Sequence, residues 1–134
     1  MLTNSFLLKL KAFQRALSQL EKALNEPFSE YVRDAAIQRF EFTYELAWNT
    51  LKVYLATLDL IVLNPKETLK MAYQQGLITN AKAWSELHVK RNLTLHTYDE
   101  QLAADIYSWL KKDGIVLFHA LEKTLSQMTS CWMS

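Results

Sequence analysis

The sequence predicts an all-α protein, an antiparallel up-down bundle of four long helices plus one short crossing helix. Two glycines and two prolines in 134 residues cannot supply the roughly seven turns of an all-β domain. Apolar residues recur at spacings of three and four over long stretches, which is the helical period. A chain of this length buries roughly two-thirds of its unfolded surface in one core. We therefore expect a single domain over residues 1–134.

The first two helices are predicted by long amphipathic stretches. Apolar residues at helical spacing predict a helix over residues 4–25, which Pro27 ends. Ser29 can cap a second helix over residues 30–58, which at about 1.5 Å per residue is roughly 43 Å long. This helix is apolar on more than one side, so we expect a second protein surface to cover the remainder. The alternative is that it is simply the central helix of a monomer.

Capping residues place the third and fourth helices. Asn64 is a capping residue, Pro65 stands at the first helical position and Glu67 follows the cap by three residues. These residues predict the start of a short helix, which Gly76 closes. The fourth helix is expected to begin near Asn80.

The last helix is predicted from a capping box. Residues 97–100, Thr-Tyr-Asp-Glu, fit the S/T-x-x-E pattern with Thr97 as the N-cap. The apolar period continues past Gly114, so we interpret the remainder as one long helix with Gly114 as an interior small position. A break at residues 112–114 is the alternative.

Composition restricts the functions that are open to the chain. Fifteen Lys and Arg against fourteen Asp and Glu leave a formal net charge of +1, so any contact with nucleic acid must be local. The single cysteine, Cys131, cannot form an internal disulfide, and the N-terminus shows no signal-peptide pattern. Aliphatic runs such as residues 60–63 fall far short of the roughly 20 residues that span a bilayer. We expect a soluble, cytoplasmic protein without a membrane partner.

An arginine and a histidine flank the connection between the fourth and last helices. With Thr97 as the N-cap, His96 lies just before a helix start, where the helix macrodipole favours anions. Arg91, at the end of the fourth helix, has the planar guanidinium suited to bidentate phosphate binding, and Asn92 adds an amide donor. The residues alone leave open an alternative in which Arg91 is a favourable charge at a helix C-terminus and His96 a turn residue.

Acidic residues and the other histidines give weaker signals. Glu41 and Glu45 are one helical turn apart, and such pairs are more often a solvated or salt-bridged face than an acid/base pair. Glu45 remains a candidate supporting residue for the His96 site. His88, His96 and Asp99 lack a further convergent ligand, so we predict no metal site.

The remaining reactive or aromatic side chains have structural interpretations. We interpret His119, on the last helix, as structural. Cys131 has no evident base beside it in sequence, so we assign it no nucleophilic role. Aromatic residues within the helices are expected to pack in the core or an interface; they are Trp48, Tyr54, Trp84, Tyr107 and Trp109.

The connection before the last helix carries a signature that we identify by resemblance. Residues 91–98, Arg-Asn-Leu-Thr-Leu-His-Thr-Tyr, resemble the R-N-x-x-x-H-x-Y signature of HEPN-fold proteins. Residues 39–48 (RFEFTYELAW), 64–67 (NPKE) and 76–78 (GLI) are similar to the HEPN branch called nucleotidyltransferase substrate-binding proteins. The likeness covers most of the chain in order, without a departure at the signature positions. It implies that residues 1–134 form a HEPN-like helical bundle domain.

The resemblance also implies a function and its residues. Such proteins are usually homodimers paired with a separate small nucleotidyltransferase subunit, and many relatives are metal-independent ribonucleases that act as the toxin of a toxin–antitoxin pair. Arg91 would hold the scissile phosphate, His96 would be the general acid or base, and Asn92 would orient either of them. Tyr98 occupies the position that the partner transferase nucleotidylates in such pairs. Cleavage without a metal or cofactor needs a base and a fixed cation, which agrees with these roles.

Two functions from different classes use this same site. In the first, the protein is a subunit that binds nucleotide or RNA for a nucleotidyltransferase, or is itself that enzyme's substrate. In the second, it is an endoribonuclease toxin, active on its own and neutralised by nucleotidylation of Tyr98. The intact motif favours the nuclease, whereas a near-neutral charge without a basic stripe favours a small or locally held ligand. An assembly module, with Asn92 as a helix-terminal amide and Tyr98 as a packing aromatic, is the third alternative.

Overall fold

The computed structural model describes residues 3–133, except for the side chains of residues 130–133, and Cys131 lies outside this description. A 3₁₀ turn (Thr94–His96) and a π-helical turn (Leu110–Gly114) connect the later helices. The α-helices within residues 3–133 are α1 (Asn4–Asn25), α2 (Glu30–Thr57), α3 (Pro65–Gln74), α4 (Ala81–Leu93), α5 (Glu100–Trp109) and α6 (Ile115–Met133). No strand occurs in this range, and the predicted all-α bundle is confirmed, with α3 as the short crossing helix.

Side-chain caps set the first two helices at the predicted residues. The Thr3 hydroxyl accepts a hydrogen bond from the Phe6 amide at 3.1 Å, and the Ser29 hydroxyl accepts one from the Val32 amide at 3.0 Å. These bonds satisfy amides that have no partner within the helix itself. α1 spans the predicted residues, and α2 ends at Thr57, one residue before the prediction.

Aromatic side chains connect the helices through a common core. The Phe118 ring of α6 lies 6.0 Å from the Phe40 ring of α2, 6.3 Å from the Phe13 ring of α1 and 6.0 Å from the Trp84 ring of α4, measured between centroids. Their tilted and edge-on geometries are those that aromatic pairs prefer. The core thus fixes α4, which carries the signature arginine, relative to α2. No helix within residues 3–133 has the length and apolar character needed to cross a membrane.

A π-helical turn joins α5 and α6 into one continuous rod. Gly114 is buried in this turn, and a Cβ at this position would lie 2.8 Å from Cζ3 of the Trp109 indole. The missing side chain therefore leaves room for the indole. The prediction of one helix with Gly114 as an interior small position is confirmed, and the alternative of a break at residues 112–114 is wrong. The π turn itself has no signal in the apolar period.

The start of α5 differs from the prediction. Asp99, rather than Thr97, is the N-cap, and its carboxylate accepts hydrogen bonds from two amides of the first turn at 3.0 and 3.2 Å. The Thr97 hydroxyl instead donates to the Thr94 carbonyl oxygen at 3.3 Å, within the preceding turn. The predicted capping box is therefore wrong. Tyr98 precedes the helix, and His96 lies three residues before the cap instead of one.

A buried arginine holds the start of α5 against α2. The Arg33 Nη1 lies 2.8 Å from a Glu100 carboxylate oxygen, and its Nε lies 3.1 Å from Asp34. The Arg33 side chain is buried, whereas both carboxylates are exposed. A buried guanidinium needs such partners, because desolvating an unpaired charge is costly. The Arg33–Glu100 pair therefore positions the start of α5, where the connection of residues 94–99 ends.

Candidate functional site

Arg91 lies in the last turn of α4 and reaches across to α2. Its Nη1 lies 3.3 Å from a Glu41 carboxylate oxygen, and its Nη2 lies 3.7 Å from a Glu45 oxygen. The two acids are one turn apart on α2, so both face the same guanidinium. The Arg91 side chain is 21% exposed. It is therefore held between two helices rather than free in solvent.

The charge balance around Arg91 limits what it can bind as it stands. Two carboxylates face a single guanidinium, and a phosphate would approach against their negative charge. The Arg91 Nε is buried and has no hydrogen-bond partner among the described residues. A phosphate that takes the bidentate position on this guanidinium must therefore displace Glu41 or Glu45.

Thr94 connects Arg91 to the turn that carries the histidine. The Thr94 hydroxyl accepts a hydrogen bond from Arg91 Nη1 at 3.1 Å and donates one to the Arg91 carbonyl oxygen at 2.6 Å. Thr94 is buried. Sequence reasoning missed this residue, although a hydroxyl three positions after an arginine at a helix end is a recognisable capping signal.

His96 and Tyr98 form an exposed pair. The His96 Nδ1 lies 3.2 Å from the Tyr98 hydroxyl oxygen, and the two rings meet edge to face at 5.7 Å between centroids. The Tyr98 side chain is 78% exposed. When Nδ1 carries no proton, the phenol donates to it. The pair therefore presents to solvent a tyrosine hydroxyl that lies within hydrogen-bond distance of an imidazole nitrogen.

A second histidine, His88, lies between Tyr44 of α2 and Asn92 of α4. The hydroxyl of buried Tyr44 lies 2.5 Å from His88 Nδ1, and His88 Nε2 lies 3.5 Å from the Asn92 side-chain amide. Burial raises the pKa of Tyr44, so the phenol stays protonated and hydrogen-bonds to His88 in its neutral form. Burial, and then the Lys66 charge, lower the pKa of His88, which is therefore neutral at pH 7. The Asn92 side-chain nitrogen Nδ2 is the atom that faces His88 Nε2, at 3.5 Å.

The four signature residues lie in one short connection, whereas Glu45, the predicted supporting residue, lies on α2. Arg91, Asn92, His96 and Tyr98 all lie between the last turn of α4 and the start of α5. Glu45 contacts Arg91, and its carboxylate also accepts a hydrogen bond from the Trp48 indole at 3.0 Å. Its contacts are thus on the arginine side of the site.

The other histidines have different surroundings. Among the described side chains, those of residues 3–129, no three from His, Cys, Asp or Glu are grouped so that they could hold a metal ion. His88 contacts Tyr44 and Asn92, whereas His96 contacts Tyr98. The His119 Nε2 lies 2.9 Å from a Glu21 carboxylate oxygen, which links α6 to α1.

The fold and the signature together define a HEPN-fold substrate-binding domain, as the sequence resemblance indicates. Residues 8–127 match the family described as "Nucleotidyltransferase substrate binding protein like". This match covers most of the chain. The protein belongs to that family.

Individual relatives agree with this assignment. The "Probable ribonuclease HepT" of Haemophilus influenzae is 37% identical over 78 residues, which are 54% of this chain and 53% of the relative. The chain thus matches about half the length of that relative.

Two solved structures share the fold over nearly their whole length. HI0074 from Haemophilus influenzae, described as a substrate binding domain of a nucleotidyltransferase, has a TM-score of 0.76 at 26% identity, over 87% of this chain and 98% of that one. A tri-AMPylated HEPN toxin of Shewanella oneidensis, in complex with MNT antitoxin, also has a TM-score of 0.76. Its identity is 15%, over 94% of this chain and 99% of that one, so this second likeness concerns the fold alone.

Proposed function

We propose that this protein is the HEPN-type partner subunit of a minimal nucleotidyltransferase, the substrate-binding or toxin component of a two-gene pair. It binds nucleotide or RNA through Arg91, Asn92 and His96, and Tyr98 is the residue that the partner modifies. The exposed Tyr98 hydroxyl, 3.2 Å from His96 Nδ1, is the observation that carries the proposal. Membership of the family and the AMPylated, antitoxin-bound state of the Shewanella relative support it.

The Tyr98–His96 pair suits nucleotidyl transfer from ATP. The phenol oxygen of Tyr98 attacks the α-phosphorus and forms a new O–P bond, and the phenol proton passes to His96 Nδ1. The bond from the α-phosphorus to the oxygen that bridges to the β-phosphorus breaks. Pyrophosphate leaves with that electron pair. The partner enzyme binds ATP, and this chain supplies an acceptor that is already oriented.

The second candidate function is metal-independent cleavage of RNA by the same residues. His96 would take the proton of a 2′-hydroxyl, and Arg91, released from Glu41 or Glu45, would neutralise the phosphate. The relative named as a probable ribonuclease favours this function. A nucleotide attached to the Tyr98 hydroxyl oxygen would occupy the space in front of His96. This single modification would therefore inactivate the site.

We further propose that the protein is a homodimer through α2. Phe42 of this helix is 56% exposed, and further apolar side chains on α2 are only partly buried. These further side chains are Leu46, Trp48 and Val53. Apolar surface of this kind marks interaction sites. Light scattering at micromolar concentration should give twice the chain mass, and a mass near 15.6 kDa would contradict the dimer.

Two assays separate the candidate functions. The minimal nucleotidyltransferase of the proposed pair should co-elute with the protein in gel filtration and transfer AMP to it, and failure of both would contradict the subunit proposal. RNA cleavage by the unmodified protein should persist in chelator and disappear in His96→Ala. Cleavage that needs a divalent ion, or that survives His96→Ala, would contradict the nuclease.

A further inference from the structure

A separate pocket lies between α3 and α4, away from the exposed His96–Tyr98 pair. Its volume is about 250 Å³. Leu69, Ile78 and Trp84 line it and are buried, so they form an apolar floor. Lys66 and Lys70 also line it but are exposed, so they belong to its solvent-facing rim.

The charged side chains among the described residues that line the pocket are both lysines. Lys66 and Lys70 stand one turn apart on α3, and neither makes an ion pair within the described part of the chain. Tyr73, Ser85 and His88 complete the polar rim. No carboxylate is among the described residues that line the pocket. The surroundings therefore favour an anion at the mouth and an apolar group on the floor.

We propose that this pocket binds a small aromatic anion, with a flat ring on Trp84 and a phosphate or carboxylate held by Lys66 and Lys70. Aromatic rings bury a large apolar area and pack well against an indole. Ordinary ligand pockets enclose roughly 300–1,000 Å³. At about 250 Å³ this pocket is smaller than that range, so it encloses only the ring, and the charged group lies at the mouth, where lysines act as point charges.

The pocket shares one side chain with the signature site. His88 lines the pocket, and its two ring nitrogens contact the Tyr44 hydroxyl and the Asn92 amide. Asn92 directly follows Arg91 on α4. A ligand in the pocket therefore contacts the ring that orients Asn92, which gives the pocket a direct route to the proposed site.

The test is an NMR titration of the isotope-labelled protein with four separate probes: AMP, indole-3-acetate, adenosine and inorganic phosphate. AMP or indole-3-acetate, or both, should shift the Trp84 indole and Ser85 amide signals. Adenosine and inorganic phosphate should bind more weakly than the aromatic anion, by about tenfold or more. The anion that binds identifies whether phosphate or carboxylate is preferred. The proposal is wrong if neither anion shifts these signals, if adenosine or phosphate binds as tightly, or if shifts are confined to residues 91–98.

Matched variants separate this pocket from the signature site. Lys66→Gln with Lys70→Gln should weaken the bound anion by about tenfold, and Ser85→Trp should obstruct the rim with the same result. Lys111→Gln with Lys112→Gln removes two exposed lysines elsewhere and should change nothing. Equal effects of the two lysine pairs would overturn the proposal. These titrations contain neither a transferase nor RNA. Failure of the pocket proposal is therefore distinguishable from failure of the proposed function.

Discussion

The two halves of the signature are five residues apart in sequence but are held in different ways. Arg91 is 21% exposed and contacts Glu41, Glu45 and Thr94. Tyr98 is 78% exposed, and its hydroxyl contacts His96. The difference separates two tasks within one motif. The arginine half is part of the packing between α2 and α4, whereas the histidine half is available for reaction.

Removing the arginine should have the largest effect on stability. Arg91→Ala leaves Glu41 and Glu45 facing each other and removes a donor from Thr94, so we expect the free energy of unfolding to fall by about 1–2 kcal/mol. Urea denaturation measures the change, with Lys82→Ala on the same helix as the exposed control. A loss of no more than about 0.5 kcal/mol, which is typical of a surface residue, would show that Arg91 does not contribute to the packing between α2 and α4.

The buried tyrosine below the site should matter slightly less. Tyr44→Phe keeps the ring but leaves His88 Nδ1 without its hydrogen-bond partner, which should cost about 1 kcal/mol. We also expect the NMR signals of the Asn92 side-chain amide to shift, because His88 changes orientation. Unchanged amide signals would show that Asn92 is held independently of Tyr44.

Stability should depend on pH through His88. The folded pKa of His88 is lowered from 6.5 by burial and then by the Lys66 charge, so the unfolded chain takes up the proton first. The contribution of neutral His88 is present above pH 6.5 and is lost as the pH falls through the folded pKa. Between pH 7.5 and 5.5 the native protein should therefore lose more stability than His88→Gln does. Equal losses would show that His88 does not contribute.

The exposed pair should give the smallest change in stability and the largest change in activity. His96→Ala and Tyr98→Phe should each alter the free energy of unfolding by no more than about 0.5 kcal/mol, as expected for surface residues. Thermal unfolding followed by circular dichroism can check both. A marked loss of stability in either variant would mean that this half is also structural.

The helices could be predicted from sequence because their causes are local. Apolar residues at a 3.6-residue period placed α1 over residues 4–25, and the Asn64–Pro65 cap placed α3. The cap of α5 was wrong because Thr97 and Asp99 are both good capping residues. The 3₁₀ turn uses the Thr97 hydroxyl, which leaves Asp99 for the helix.

The surroundings of the site could be predicted only in part. The signature places Arg91 and His96 in one connection, since five residues of chain cannot separate them far. The contacts of Arg91 with Glu41 and Glu45 depend on how α2 packs against α4, which no short-range pattern encodes. The same holds for the pairing of Tyr44 with His88, because they are 44 positions apart in the sequence.

The most direct test of the account is to map where the partner transferase places a nucleotide. The protein is incubated with ATP and the minimal nucleotidyltransferase of the proposed pair, digested, and analysed by peptide mass spectrometry. Tyr31→Phe, which removes the hydroxyl of a tyrosine that is 89% exposed and lies outside the signature in sequence, serves as the control. We expect AMP on Tyr98, no AMP in Tyr98→Phe and normal labelling in Tyr31→Phe. Labelling that persists in Tyr98→Phe, or that lies on Tyr31, Tyr44 or Tyr107, would contradict the central claim.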